Sequence, residues 1–272
     1  MRIFFNKVIG KILFKIIPNN KSVHNFCKLL INRYNNNKNF YPSKNGEFNL
    51  INSFVKSEIN QKIFFDVGCN VGEFADFMQK KNYDGKIYLF DALKSLDSKI
   101  LENKNVYFFQ KLLWNKKDKI SFFVDKKIQN AGTNSSFDMK QIGYETNSEK
   151  KEMNTTTLDD FIEENNIDKV DYLKIDVEGA EYRVLEGLIK NLELNKIKYI
   201  HLEYGHAAMA DRKYIKDYLY LLKKYNFEMY VIVPQGLRKI EYTPYMENHF
   251  DYINLFFSSR ESLKLLDIKI LD

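Results

Sequence analysis

Ile63-Phe64-Phe65-Asp66-Val67-Gly68-Cys69-Asn70-Val71-Gly72-Glu73-Phe74 is an apolar run that breaks into an acidic, glycine-bearing loop and restarts as an amphipathic segment. Ile63–Val67 reads as a buried strand, and Phe74, Phe77 and Met78 recur at the spacing of one helix face. The loop is therefore a strand-to-helix turn. In an open parallel sheet such a turn lies at the carboxyl edge of a strand, where ligands bind, and Gly68 and Gly72 leave the backbone open to close approach. An ordinary tight turn is the plainer alternative, so the loop needs support from the rest of the chain.

Outward from this stretch, strand and helix patterns alternate from residue 62 onward, the signature of an α/β domain. Residues 62–67, 86–91, 105–110, 170–177 and 198–203 read as strands, followed by late strands at 228–233 and 252–257 with Pro234-Gln235-Gly236 as a turn between them. Residues 72–81, 180–192 and 212–225 read as helices, and Thr157 reads as the N-cap of another. Residues 111–114 and 119–124 are expected to form a hairpin, and residues 129–136 a polar loop in reach of substrate.

At 272 residues, 44% hydrophobic and 15% aromatic, the chain is long enough for one large domain and an appendage. The two cysteines, Cys27 and Cys69, are far apart, which points to neither a zinc site nor a disulfide framework and suits a reducing, cytoplasmic compartment. Residues 1–46 hold nine Lys or Arg and no Asp or Glu, whereas the remainder holds 33 basic and 36 acidic residues. The basic character thus belongs to an N-terminal arm, and a mildly acidic body argues against a nucleic-acid partner.

Within that arm, Ile3, Phe4, Val8, Ile9, Ile12, Ile16 and their neighbours keep to one helix side, with Lys7, Lys11 and Lys15 opposite and Pro18 as the stop. Lysine every four residues interrupts the apolar stretch, so it reads neither as a membrane span nor as a signal peptide. Two readings stay open: a helix packed on the domain, or an interfacial helix in peripheral contact with the inner face of a membrane through residues 1–34. Residues 23–34 read as a second helix with Phe26, Leu30 and Tyr34 inward, and the asparagine-rich residues 35–39 as a polar linker. The expected organisation is an arm at 1–45 and a catalytic-size domain at 46–272.

Asp91 closes the second strand at the interval of the acidic residue that grips a ribose in nucleotide-binding α/β folds. Yet Asp66-x-Gly68-x-x-x-Gly72 is not the dinucleotide fingerprint. Its wider glycine spacing and acidic first position suit a cationic, phosphate-free ligand such as S-adenosylmethionine. Together with Thr156-Thr157-Leu158-Asp159-Asp160-Phe161, Asp171-Tyr172-Leu173-Lys174-Ile175-Asp176-Val177-Glu178-Gly179-Ala180-Glu181 and Ile200-His201-Leu202-Glu203, the chain over roughly residues 60–205 resembles the FkbM-type S-adenosylmethionine-dependent methyltransferases. The resemblance implies a class I methyltransferase (Rossmann-like) fold, a doubly wound, mostly parallel seven-stranded sheet whose final strand is antiparallel. It also implies that Asp66, Gly68, Asn70 and Gly72 line the methionine side of the cofactor and Asp91 its ribose. Phe90-Asp91-Ala92 departs from the Glu-Pro usual in the family at that strand end.

Side chains alternate on a strand, so Lys174, Asp176 and, if the strand extends, Glu178 share one face. A lysine and two carboxylates there must be paired, hydrated or bound to something. A salt-bridged cluster that only fastens the strand end is one reading. In the other, Asp176 and Glu203 hold a divalent, oxygen-loving cation such as Mg²⁺, Glu178 is the general base, Lys174 belongs to the catalytic group, and His206 is the alternative base.

The expected function is transfer of the methyl group of S-adenosylmethionine to a hydroxyl, on a sugar of a surface glycan or glycolipid. The rival expectation is a non-catalytic or weakly catalytic protein of this fold that docks on membrane or on a glycan-assembly partner.

Overall fold

Short, continuous apolar runs bury both their faces when helices cover a sheet from either side. In the computed structural model, which describes residues 10, 16–59, 61–126, 134–248 and 250–271, five of them lie parallel. In spatial order they are β3 (Val106–Gln110), β2 (Lys86–Asp91), β1 (Ile63–Val67), β7 (Val170–Ile175) and β8 (Ile197–Gly205). Beyond β8 the sheet turns antiparallel: β11 (Tyr252–Ser258) inserts between β8 and β9 (Glu228–Val233) and opposes both. These are the seven strands expected. Two more extend the sheet to nine, β10 (Gly236–Lys239) beside β9 and β12 (Ile270–Leu271) at the edge. Pro234 and Gln235 thus link β9 to β10, not to β11.

The sheet is doubly wound. Helices α2 (Glu47–Lys56) and α3 (Glu73–Lys80) pack Leu50, Phe54, Phe74 and Met78 onto one face. Helices α4 (Leu158–Glu164), α5 (Glu181–Glu186) and α6 (Ile215–Lys223) pack Phe161, Val184, Leu185 and Tyr218 onto the other. Thr157 caps α4 by accepting from the Asp160 N–H. The helix expected over 180–192 is broken at Gly187, where a Cβ would stand 2.2 Å from the Trp114 carbonyl oxygen.

The expected 111–124 hairpin does not form. Strands β4 (Leu112–Leu113) and β5 (Lys119–Asp125) both pair with β6 (Ser148–Thr156), in a separate three-stranded sheet with β6 central. Polar residues dominate β6, so it carries no apolar alternation by which to find it.

The arm also differs from expectation. Residues 1–9 and 11–15, which carry most of its first expected helix, lie outside the described residues, as do 129–133 of the polar loop. Helix α1 (Lys21–Asn35) forms, but Phe26, Leu30 and Tyr34 are exposed rather than inward, because the helix meets the body only near its carboxyl end. The first three residues of the supposed linker, Asn35, Asn36 and Asn37, are buried instead. Asn36 donates its side-chain N–H groups to the Asn45 and Ile232 carbonyls, and Asn37 accepts from the Asp251 N–H. No helix among the described residues is long and apolar enough to cross a membrane.

The chain enters the sheet at β1, builds outward to β3, then returns to β7 on the other side of β1. Strand order therefore reverses between β1 and β7, and a crevice opens at their carboxyl ends.

Candidate active site

The β1 loop closes over the end of β2, with the Gly68 and Cys69 N–H groups donating to the Phe90 carbonyl at 2.8 and 3.1 Å. Asp91 follows, accepting from the Asn70 N–H at 2.9 Å and the Leu93 N–H at 2.8 Å. These bonds use only part of the acceptor capacity of its carboxylate. The glycines answer to the protein itself as well as to any ligand. At Gly68 (φ +81°) a Cβ would stand 1.7 Å from the Asp176 carbonyl oxygen, and at Gly72 (φ +85°) 2.5 Å from Leu96 and Ile100.

A cavity of about 120 Å³ lies in the crevice, lined by Gly68, Asn70, Asp91, Asp176 and Glu178 and roofed by Leu113 and Phe122 of the small sheet. Asp66 and Gly72 do not line it. Asp66 is buried beneath, with Lys174 Nζ 3.7 Å away and no hydrogen-bond partner for either carboxylate oxygen among the described residues. Burial pushes its pKa up to about 6, against the pull of Lys174. Lys174 is also buried and lines neither cavity. It lies 2.9 Å from Asp176 and over the Phe74 ring, and although burial opposes its charge, the Asp176, Asp66 and Glu47 carboxylates hold its pKa above the ordinary lysine value.

A second cavity, of about 430 Å³, adjoins the first. Phe40, Tyr144, Tyr252, Glu203 and His206 line it, and Glu178 lines both. Asp176, Glu178 and Glu203 each offer a carboxylate oxygen within 4.8 Å of the others. Loss of water and the neighbouring carboxylates push the pKa values of Glu178 and Glu203 well above the usual range, while a hydrogen bond from Tyr252 opposes the shift at Glu203. Three acids this close cannot all stay charged without a cation. An all-carboxylate oxygen set is the donor chemistry of a hard divalent ion.

Glu178 does not continue the strand. It sits at φ +53°, a left-handed conformation that most other described residues sharing it meet with asparagine, so its position is imposed by its surroundings. The holding group is Glu181, whose Oε1 accepts from the Val177 N–H at 3.0 Å and the Gly179 N–H at 3.1 Å, and burial pushes its pKa up to about 7. Ser135 donates to the Glu178 carbonyl from the opposite side. His206 faces the same cavity but is tied to Asp251 at 2.7 Å, which also pairs with Lys38.

Sequence reasoning assigned nothing to Glu181, Tyr252 or His201. The spacing of Glu181 from Val177 was a usable signal, since a carboxylate at a helix start reaches back to the preceding turn. Fully buried His201 lies 3.1 Å from Glu47 and hydrogen-bonds Tyr172, through contacts that only the tertiary fold creates.

The methyltransferase FkbM domain matches the chain over residues 66–229. No curated protein matches it. Among solved structures, a presumed hemolysin from Lactococcus lactis is 15% identical, with 83% of this chain and 86% of that one covered and a TM-score of 0.35. Precorrin-6y C5,15-methyltransferase from Geobacter metallireducens is 9% identical, with 78% and 88% covered and a TM-score of 0.40. The plantazolicin methyltransferase BpumL, solved in complex with SAH, is 10% identical, with 79% and 83% covered and a TM-score of 0.34.

Proposed function

This chain belongs to the FkbM methyltransferase family, and on that premise we propose that it transfers the methyl group of S-adenosylmethionine to a hydroxyl of a sugar in a surface glycan or glycolipid. The observation that carries the reading is Glu178, which lies on the wall between the two cavities and borders both.

The smaller cavity suits the donor. Asp91 has acceptor capacity for ribose hydroxyls, and carboxyl oxygens of Asp91, Asp176 and Glu178 line the walls where a sulfonium would lie. Bound there, S-adenosylmethionine supplies an electrophilic methyl group. The larger cavity suits the acceptor, with the rings of Phe40, Tyr144 and Tyr252 for the apolar face of a sugar and carboxylates for its hydroxyls. Glu178 takes the hydroxyl proton once a cation on the cluster has let it give up its own, the buried site keeping it more basic than a carboxylate in water. Asp176 and Glu203 are the ligands for a divalent cation such as Mg²⁺, which when bound lowers the pKa of a coordinated hydroxyl. Lys174 acts from beneath by fixing Asp176. Asp66 and Gly72 contribute to the donor site by shaping the loop rather than by lining it.

The test is release of S-adenosylhomocysteine from S-adenosylmethionine with sugar acceptors bearing vicinal hydroxyls, with and without a chelator. Turnover that needs both the acceptor and a divalent ion is expected. Failure to bind S-adenosylhomocysteine in calorimetry would remove the donor assignment, and chelator-resistant turnover would remove the metal.

A further inference from the structure

Beside β10, a groove of about 410 Å³ runs between α1 and the segment that follows that strand. Arg238 on β10 lines it and is only 7% exposed. Its Nη1 donates to the Tyr34 carbonyl and its guanidinium stacks 3.9 Å from the Tyr34 ring centre. Nε and Nη2, the two donors of one guanidinium edge, are themselves covered from water and have no partner among the described residues, so a ligand reaches them only by displacing the groove side chains that cover them. No carboxylate lines the groove, whose remaining walls include Leu30, Ile31, Ile240, Met246 and Phe250. Burial accordingly pushes the pKa of Arg238 below the ordinary arginine value. A buried charge without a counter-charge is costly, and a free guanidinium edge is the shape that grips a phosphate through two parallel hydrogen bonds.

The helix that forms the other wall is equally unpartnered. Phe26 and Leu29 are 61% and 62% exposed, and Leu30 stands beside them at helical spacing. Lys21, Lys28 and Arg33 are on the same helix, and the first 46 residues carry no acidic group. We infer that this groove seats the phosphate of an anionic membrane lipid on the Arg238 edge, and that α1 lies on the bilayer surface through its exposed apolar face. Apolar walls beside a phosphate-binding edge suit an amphiphile, and a basic helix with an apolar face is attracted to anionic headgroups. A second copy of the chain is a poorer occupant, because a two-fold contact would set one basic arm against another. The site does not depend on the methyl-transfer reading.

The experiment is flotation of the full chain with vesicles of zwitterionic phosphatidylcholine alone or mixed with anionic phosphatidylglycerol. The expected result is flotation with the mixed vesicles only, at least about tenfold weaker in Arg238→Gln and in Leu29→Ser/Leu30→Ser. Circular dichroism and thermal melting of each variant are expected to match the parent, which shows that each still folds. The serine double variant keeps the test valid if Arg238→Gln does not fold. Absence of flotation with anionic vesicles overturns the inference, as does undiminished flotation of the double variant. Binding of inorganic phosphate without flotation would reduce the groove to a phosphate site, and a dimer in light scattering that the serine variant dissolves would assign the face to self-association. Either result also overturns it.

Discussion

The acidic crevice at the ends of β7 and β8 and the groove beside Arg238 both withdraw charge from water without a full counter-charge, yet they differ in how that charge can be relieved. Asp176, Glu178 and Glu203 crowd one another, and the pKa values of Glu178 and Glu203 are pushed well up, so these two can take up protons and shed the charge of the crevice. A guanidinium has no such form. The crevice therefore tolerates being empty and becomes reactive when a cation or a rise in pH discharges its protons, whereas the groove is relieved only by an anion. The first is suited to chemistry and the second to anchoring.

Several outcomes test this contrast. The largest is expected at the residue shared by the two cavities: Glu178→Gln should lower kcat by about 10²–10⁴-fold, the range for loss of a general base, while calorimetric affinity for S-adenosylhomocysteine stays within about twofold. Retained turnover would take the role away from Glu178 and leave His206 as the remaining candidate. Next, Asp91→Ala removes a carboxylate whose charge-assisted hydrogen bonds are worth about 1.5–3 kcal/mol each, so the KM for S-adenosylmethionine should rise roughly 10–100-fold, with kcat less affected. An unchanged KM would place the ribose elsewhere.

A smaller effect concerns pH. Asp66, with its pKa pushed up to about 6, and Glu181, pushed up to about 7, each hold protons more tightly in the folded chain than in the unfolded one. Stability from such groups is complete below the ordinary carboxylate pKa near 4 and is lost as pH rises through about 6 to 7. The Tm in a chelator should therefore fall between about pH 5 and pH 8, at roughly 2–4 °C per kcal/mol lost, and millimolar Mg²⁺ should restore part of it if the carboxylate cluster binds the ion. A Tm that rises over this range contradicts the assignment. The smallest change belongs to the arm, where Phe26→Ser on the exposed face should shift chemical-denaturation stability by no more than about 0.5 kcal/mol. A larger loss would mean that this face packs against the body.

Much of the fold was legible because parallel strands covered on both faces need mostly apolar runs, and β1, β2, β7 and β8 keep enough apolar residues to show them. β6 and β10 were not legible, since one is polar over nearly its whole length and the other is four residues long. The three acidic side chains of the crevice were also found from spacing, but for a reason that needs revision. Strand alternation was to carry Glu178 onto the face of Asp176, whereas β7 stops at Ile175 and a left-handed turn held by Glu181 and Ser135 brings Glu178 round. The inward face assigned to α1 was misread because an amphipathic pattern records which side is apolar and not whether anything covers it.

By itself, then, the chain from Ile63 to Phe74 determined a strand, a turn and a helix, and with the later motifs it determined the family and the order of its main strands, because these depend on local periodicity and short-range spacing. Only the tertiary structure decided that Gly68 yields to the Asp176 carbonyl, that Asp66 lies beneath the cavity instead of along it, and that Arg238 keeps a free edge. Each of these depends on which distant atoms occupy the neighbouring space, and packing across the sheet sets that where periodicity along it cannot.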